Sequence, residues 1–206
     1  MYNLYMDVDL RPDVVQALTG LNSWWQSPHD VKPLPLPYRR RSVRAILAGL
    51  SRSGAGSLIH VLRGPRQVGK TTALYQLAAD LISAGLKPTE IFLARFDLQP
   101  IREAGSILSL ANWFARKVRR KPLGDGRPPV FLLDEVHKLE RWDEQVKHLF
   151  DTFGVRIVLT GSSSILVLRG QRESLAGRAI TVDFPPFLFR EVLEAWSPKS
   201  IGSLPA

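Results

Sequence analysis

The sequence predicts an α/β fold in which a parallel sheet is covered by helices on both faces, and three features lead there. From Ser57 onward, apolar runs of strand length alternate with longer stretches of helical period, the pattern of repeated strand-helix units. One run, Val130-Phe131-Leu132-Leu133, is apolar without polar alternation, as a central strand covered on both faces must be. The chain of 206 residues, 45% apolar and 23% charged, has the size and composition of one such αβα domain with a short accessory segment.

In chain order, residues 1–40 read as an N-terminal arm. A short helix over 13–25 would put Val14, Val15, Leu18 and Leu21 on one side, with Trp24 and Trp25 as packing anchors. Pro33-Leu34-Pro35-Leu36-Pro37 fits neither a helix nor a central strand, since proline lacks the N–H both require, so it reads as an extended connector into Tyr38-Arg39-Arg40-Arg41. The main domain is assigned to 41–196, with 197–206 as a tail. A helix over 42–50 leads into strands at 58–63, 91–96, 130–134, 156–160 and 180–184. Helices are expected at 70–84, 106–119 and 142–153, a short one around 171–176, and a last one at 189–196 after Pro185-Pro186. Gly124-Asp125-Gly126-Arg127-Pro128-Pro129 reads as a surface loop.

Chemistry concentrates where these strands end. Gly64-Pro65-Arg66-Gln67-Val68-Gly69-Lys70-Thr71 fits the phosphate-binding pattern G-x-x-x-x-G-K-[ST] and lies between a predicted strand and a predicted helix, the context the mechanism needs. Glycines let the backbone wrap phosphate oxygens with N–H groups pointing inward, and the helix that follows adds the positive end of its dipole. Lys70 would pair with the β and γ phosphates of a nucleotide, and the Thr71 hydroxyl would bind Mg²⁺. Downstream, the apolar run 130–133 ends in Asp134 and Glu135: the first suits Mg²⁺, the second the polarisation of an attacking water. A strand that merely meets helix-capping acids is the bland alternative, and the preceding glycine-rich motif weighs against it. Thr160 and Ser162, at the tip of the next strand, are candidates to sense a γ-phosphate or orient the water, or else belong to a hydroxyl-rich helix cap. Arg178, in Leu175-Ala176-Gly177-Arg178, is a candidate to neutralise phosphoryl charge in its own or a neighbouring subunit, or a structural ion-pair partner. His137 reads as a supporting or surface residue, since Glu135 is better placed as base.

The order of these motifs carries a resemblance. Gly64 through Thr72 is followed by Leu132-Leu133-Asp134-Glu135-Val136-His137-Lys138-Leu139 and by Leu159-Thr160-Gly161-Ser162-Ser163-Ser164. Then come Glu173-Ser174-Leu175-Ala176-Gly177-Arg178 and Phe184-Pro185-Pro186-Phe187-Leu188-Phe189-Arg190-Glu191. Together, over 38–196, they resemble a family of archaeal and bacterial ATPases in the AAA superfamily. The resemblance implies an AAA-type three-layer αβα sandwich of the P-loop NTPase (ASCE) class, with five strands in the order 5-1-4-3-2. It also implies ATP and Mg²⁺ as ligands, a sensor on the strand beside the acidic one, and a position for 38–44 near the adenine. Members of that family continue into a C-terminal domain, whereas the present sequence stops at Ala206, so it is expected to be either a truncated piece or a minimal form, and the activity of that further domain is not carried over.

Composition bounds the remaining classes. With no cysteine there is neither a disulfide framework nor a thiolate metal site, and the four histidines lack zinc-site spacing. No apolar stretch reaches membrane-spanning length, and the first residues lack the features of a secretion signal, so a soluble, cytoplasmic protein is expected. The net charge of +9 favours polyanionic partners. Arg39-Arg40-Arg41 and Arg116-Lys117-Val118-Arg119-Arg120-Lys121 are either helix-end charges that complement the dipole or contacts to nucleic acid or a protein. Homo-oligomers follow if Arg178 acts across subunits. Three functions stay open: an ATPase that drives a partner or a further domain, a nucleotide-gated switch with little turnover, and a DNA-associated protein regulated by ATP.

Overall fold

A computed structural model describes residues 9–28, 30–31, 38–51, 58–162 and 175–196. Its centre is a five-stranded sheet of β1 (Ile59–Gly64), β2 (Ile91–Arg95), β3 (Val130–Asp134), β4 (Arg156–Ser162) and β5 (Ala179–Asp183). The strand order is β2-β3-β4-β1-β5 and every pairing is parallel. This is the expected order 5-1-4-3-2 read from the opposite edge. All five residues of β3 are buried, as its unbroken apolar run requires.

The helices are α1 (Pro12–Leu21), α2 (Arg41–Ser51), α3 (Lys70–Ser83), α4 (Gln99–Glu103), α5 (Ile107–Trp113), α6 (Trp142–Phe153) and α7 (Phe189–Trp196). α2 packs against α3, and α5 against α6, so the sheet is flanked by helices. α3 stops just before Gly85, whose φ of +88° suits the left-handed turn that ends a helix. The helix expected over 106–119 is two structures. The Ser106 side chain caps α5 by accepting from Ser109 N at 3.2 Å, and after Trp113 the chain widens into π-helix over Phe114–Arg119.

The N-terminal segment does more than lead in. Val14, Leu18, Leu21 and Trp24 belong to the same buried core as the sheet. The helix expected through residue 25 breaks at Asn22, and a 3-10 turn over Ser23–Trp25 follows. The reason is visible in the Asn22 amide. Its Oδ1 accepts from Leu93 N at 2.7 Å and its Nδ2 donates to Leu93 O at 2.8 Å, so one side chain occupies both backbone groups of edge strand β2 as a further strand would. Trp25 Nε1 donates to Ile91 O at 2.9 Å along the same edge. The proline-rich connector at 33–37, most of the short helix expected at 171–176 and the tail at 197–206 lie outside the described residues.

Candidate functional site

Because all strands run the same way, their C-terminal ends form one edge, and the strand-to-helix turns gather there. β1 ends at Gly64 and passes through the glycine-rich loop into α3. A Cβ at Gly64 would lie 2.0 Å from Phe184 O, so only glycine permits that approach, and Gly69 takes a φ of +93°. Gln67 also has positive φ, at +63°. Arg66, Val68 and Thr72 lie in or directly beyond this loop, at the start of α3. Lys70 is 5% exposed, and its Nζ donates to Gly64 O at 2.9 Å and Pro65 O at 2.5 Å, which holds the ammonium at the mouth of the loop. Burial lowers its pKa, opposed by the charges of Glu135 and Asp134.

β3 delivers Asp134 to the same place. Asp134 is 1% exposed and accepts from Thr71 Oγ1 at 2.7 Å and from Thr160 Oγ1. Arg95, at the end of β2, brings its Nε to 3.5 Å from Asp134 Oδ2 and pairs with Asp97 at 2.7 Å. Burial raises the Asp134 pKa despite the hydrogen bonds from Thr160 and Thr71 and the charge of Arg95. A single carboxylate joined to a hydroxyl suits Mg²⁺, which keeps several waters and takes its remaining ligands from phosphate. Among the described residues no group of three or more His, Asp and Glu forms a closed metal site.

Glu135 leaves the strand with φ +53° and ψ +38°, a left-handed conformation that costs a non-glycine residue about 1–2 kcal/mol. Its N–H is held by Thr160 Oγ1 at 3.1 Å, so one threonine hydroxyl orients both acidic residues. His137 Nε2 lies 3.5 Å from Glu135 Oε2, and burial lowers the imidazole pKa, which favours the neutral ring. Lys70, Thr71, Asp134, Glu135 and Thr160 are therefore brought together. Ser162 ends β4 on the same edge, paired in register with Gly64.

Arg178 stands elsewhere. It precedes β5, whose Ala179 pairs with Ile59 at the beginning of β1, so it lies at the N-terminal edge of the sheet. Ile59 and Gly64 are five steps apart along the strand, roughly 17 Å at ~3.3 Å per residue. Its guanidinium Nε lies 2.7 Å from Asp151 Oδ1 on α6. Contact with the phosphate loop of its own chain is out of reach from there.

Two residues bordering the loop, Arg40 and Tyr38, belong to the segment 38–44 that the resemblance placed near the adenine, without a role of their own. Arg40, 4% exposed, forms an ion pair with Glu191 at 2.8 Å and donates to Pro185 O at 2.8 Å. Its guanidinium lies 4.2 Å above the Phe184 ring and 4.7 Å from the Phe187 ring. The Phe184 ring edge in turn comes within 4.0 Å of where a Gly69 Cβ would be. Tyr38 is fixed alongside, accepting at its carbonyl from Gln76 of α3 at 2.7 Å and donating its hydroxyl to Glu194 of α7 at 2.9 Å. Segment 38–44 thus ties α3 and the phosphate loop to the Phe184-Pro185-Pro186-Phe187 turn. In the sequence Arg40 shows only as part of a run of three arginines and of the segment 38–44 that the family resemblance sets near the adenine.

Both basic runs are largely spent inside the fold. Arg39 chelates Asp80 at 2.8 Å and Arg40 holds Glu191; Lys117 pairs with Asp9 at 3.1 Å, while Arg119 and Lys121 share Glu90 at 2.6 and 2.8 Å. Among the described residues no helix is long and apolar enough to cross a membrane.

Comparison with known proteins agrees with this geometry. A family described as "AAA domain" matches residues 57–193. An uncharacterized protein of Haemophilus influenzae is 28% identical over 140 residues, 66% of this chain and 33% of its own length. Two uncharacterized proteins of Methanocaldococcus jannaschii are 30% identical over 138 residues and 29% over 136, which cover 65% and 66% of this chain and 27% and 28% of theirs. The chain thus spans no more than about a third of the length of these relatives. With the matched segment covering the whole sheet and the loop from Gly64 to Thr71, the chain belongs to the AAA domain family, and its domain is P-loop NTPase-like.

Proposed function

We propose that the domain binds ATP with Mg²⁺ at the C-terminal edge of the sheet, hydrolyses it to ADP and phosphate, and passes the change in phosphate state to a partner protein or to further domains of a longer chain. The observation that most supports this reading is the meeting of Thr71 and Thr160 on the carboxylate of Asp134, beside Lys70. In this reading the backbone of Gly64 to Thr72 cradles the phosphates, with Pro65, Arg66, Gln67 and Val68 forming the turn. Lys70 exchanges its two carbonyl partners for the β and γ phosphate oxygens. Asp134 and Thr71 would hold Mg²⁺, which draws charge off the phosphate oxygens when bound. Glu135 polarises the attacking water, and Thr160 keeps Glu135 aimed by holding its N–H. Ser162, at the end of β4, serves in this reading as a second sensor of the γ-phosphate. Arg178, beyond reach of the loop of its own chain, acts in this reading on the nucleotide of a second copy, which makes self-assembly part of the proposal.

The route outward runs through Phe184, which touches both the phosphate loop and Arg40. A shift of Gly64 or Gly69 on loss of the γ-phosphate would press on that ring and move α7, which Arg40 holds through Glu191.

Steady-state hydrolysis with Mg²⁺, measured with and without DNA, tests the reading. Lys70→Ala should lose both ATP binding and turnover. Glu135→Gln should keep ATP binding and lose turnover by about 10²–10⁴-fold, the usual contribution of a positioned general base. ATP binding without turnover in the unaltered protein would replace the enzyme by a nucleotide-gated switch, and absence of ATP binding would overturn both.

A further inference from the structure

Arg95 stands between two carboxylates and is hydrogen-bonded to only one of them. It ends β2 beside the last residue of β3: Arg95 pairs in register with Asp134, and Phe96 N donates to Asp134 O at 3.0 Å, so the two side chains leave neighbouring strands at the same level. Arg95 Nη2 donates to Asp97 Oδ2 at 2.7 Å. Its Nε lies 3.5 Å from Asp134 Oδ2 yet is buried without a hydrogen bond, and Asp97 Oδ1 is buried without one as well. Tyr75, one turn beyond Thr71 on α3, is a further hydrogen-bond partner of the guanidinium, and its ring stands edge-on to Trp24 at 6.3 Å. One donor and one acceptor of the same ion pair are thus unused.

The oxygen that Arg95 faces is already engaged. Asp134 Oδ2 accepts from Thr71 Oγ1 at 2.7 Å, and these are the two residues assigned to Mg²⁺. Burial works against the charge of Arg95, but the hydrogen bond to Asp97 and the charges of Asp97 and Asp134 outweigh it and raise its pKa, so the side chain stays a cation. A divalent charge at Asp134 and the guanidinium repel one another, and the guanidinium has a place to go. Asp97 offers its second oxygen to the unused Nε, which turns one bond into the paired arrangement that suits arginine and a carboxylate. Of the two contacts, the one to Asp134 lacks a hydrogen bond and is the one to be released.

Resting on the nucleotide site proposed above, we propose that Arg95 is a positioning residue that balances Asp134 when no divalent cation is bound and withdraws onto Asp97 when one is. Asp97 then sets how strongly nucleotide binding depends on Mg²⁺. The two members of the pair have opposite effects. Without the Arg95 charge Asp134 has no competitor for the metal, so Mg²⁺ should tighten nucleotide binding more than in the unaltered protein. Without the Asp97 charge Arg95 stays on Asp134, and Mg²⁺ should count for less. A pair that served only the fold would shift affinity in the same direction whichever member is changed.

Isothermal titration of the whole chain with the non-hydrolysable analogue AMP-PNP, in Mg²⁺ and in EDTA, gives the factor by which Mg²⁺ tightens binding in each variant. That factor is expected to rise at least about fivefold in Arg95→Gln and to fall at least about fivefold in Asp97→Asn, the lower end of couplings between linked sites. Arg95→Met replaces Arg95→Gln if the latter does not keep the circular dichroism of the unaltered protein. Adding Asp97→Asn to Arg95→Gln should leave the factor within about twofold of Arg95→Gln alone, because Asp97 acts through Arg95, whereas independent effects would add. Shifts of the same sign in the two single variants, additive shifts in the double variant, or an unchanged factor in either single variant would each overturn the assignment. Equal loss of affinity in Mg²⁺ and EDTA in Arg95→Gln would overturn it too, by making Arg95 a phosphate ligand. No binding of AMP-PNP to the unaltered protein in either condition is a separate result, which overturns the nucleotide site and this assignment with it.

Discussion

At the C-terminal end of the sheet Asp134 is 1% exposed among two hydroxyls and one distant guanidinium, and burial still raises its pKa. At the N-terminal end the side chain of Arg119 is 0% exposed, yet it meets a carboxylate and three carbonyls, those of Pro122, Asp125 and Arg127. Both ends bury charge, but the C-terminal end leaves more polar groups short of partners. Arg95 Nε, Asp97 Oδ1 and His137 Nδ1 are buried at the C-terminal end without a hydrogen bond, and Glu135 sits there in a left-handed conformation. Under-satisfied polar groups and backbone strain are costs a fold keeps where a ligand is to be met. The fully bonded Arg119 needs no such partner, so its charge serves the fold.

The contrast is sharpest for Arg119→Ala. The change strands Glu90, 5% exposed, beside Lys121 alone and frees three carbonyls, so a loss of about 3–5 kcal/mol of stability is expected, as when one member of a buried pair is removed. ATP binding by the molecules that remain folded should be unchanged, because the Arg119 partners all lie at the far edge from Gly64. Urea denaturation alongside ATP titration measures both. A loss of nucleotide affinity with little loss of stability would reverse the roles assigned to the two ends.

Thr160→Val probes the C-terminal end with a smaller perturbation that preserves shape. It removes one bond to Asp134 and the one that holds Glu135 N, so a cost of about 1–3 kcal/mol is expected. On the proposed mechanism turnover should fall further than ATP affinity, since Glu135 loses its aim while Lys70 and the loop are untouched. Equal losses in both, or turnover that follows stability alone, would assign Thr160 to the fold only.

How much of this was legible in the sequence follows the same division. The phosphate loop and the acidic strand could be read because each is local, a glycine pattern and an apolar run ending in carboxylates, whereas the strand order came only with the family resemblance. What escaped depends on partners distant in sequence. Arg119 and Glu90 are 29 positions apart, Arg40 and Glu191 are 151 apart, and Asn22 reaches Leu93 across 71. No period or spacing links such pairs. A run such as Arg116-Lys117-Val118-Arg119-Arg120-Lys121 therefore reads as one surface patch, although the fold buries its fourth residue and ties its second and last to acids. Arg178 is a similar case: the glycine beside it suggested phosphate chemistry, and the strand register sets it at the other edge.

His60 is the exception to the division, a buried imidazole near the beginning of β1 whose Nδ1 lacks a partner. Burial lowers its pKa below the ordinary value of 6.5, so the folded protein holds it neutral where the unfolded chain begins to take up a proton. The unfolded state then binds more protons, and stability must fall as pH drops below about 6.5 until the folded-state pKa is passed, with a slope of at most ~1.4 kcal/mol per pH unit for one group. His137 is shifted the same way and adds to the slope from the other end of the sheet. Urea midpoints between about pH 7.5 and 5 should therefore decline less steeply in His60→Gln than in the unaltered protein, and less steeply again when His137→Gln is added. Parallel declines in all three would mean that neither imidazole is held neutral by the fold. A change confined to His137→Gln would return all under-satisfied polar chemistry to the nucleotide end.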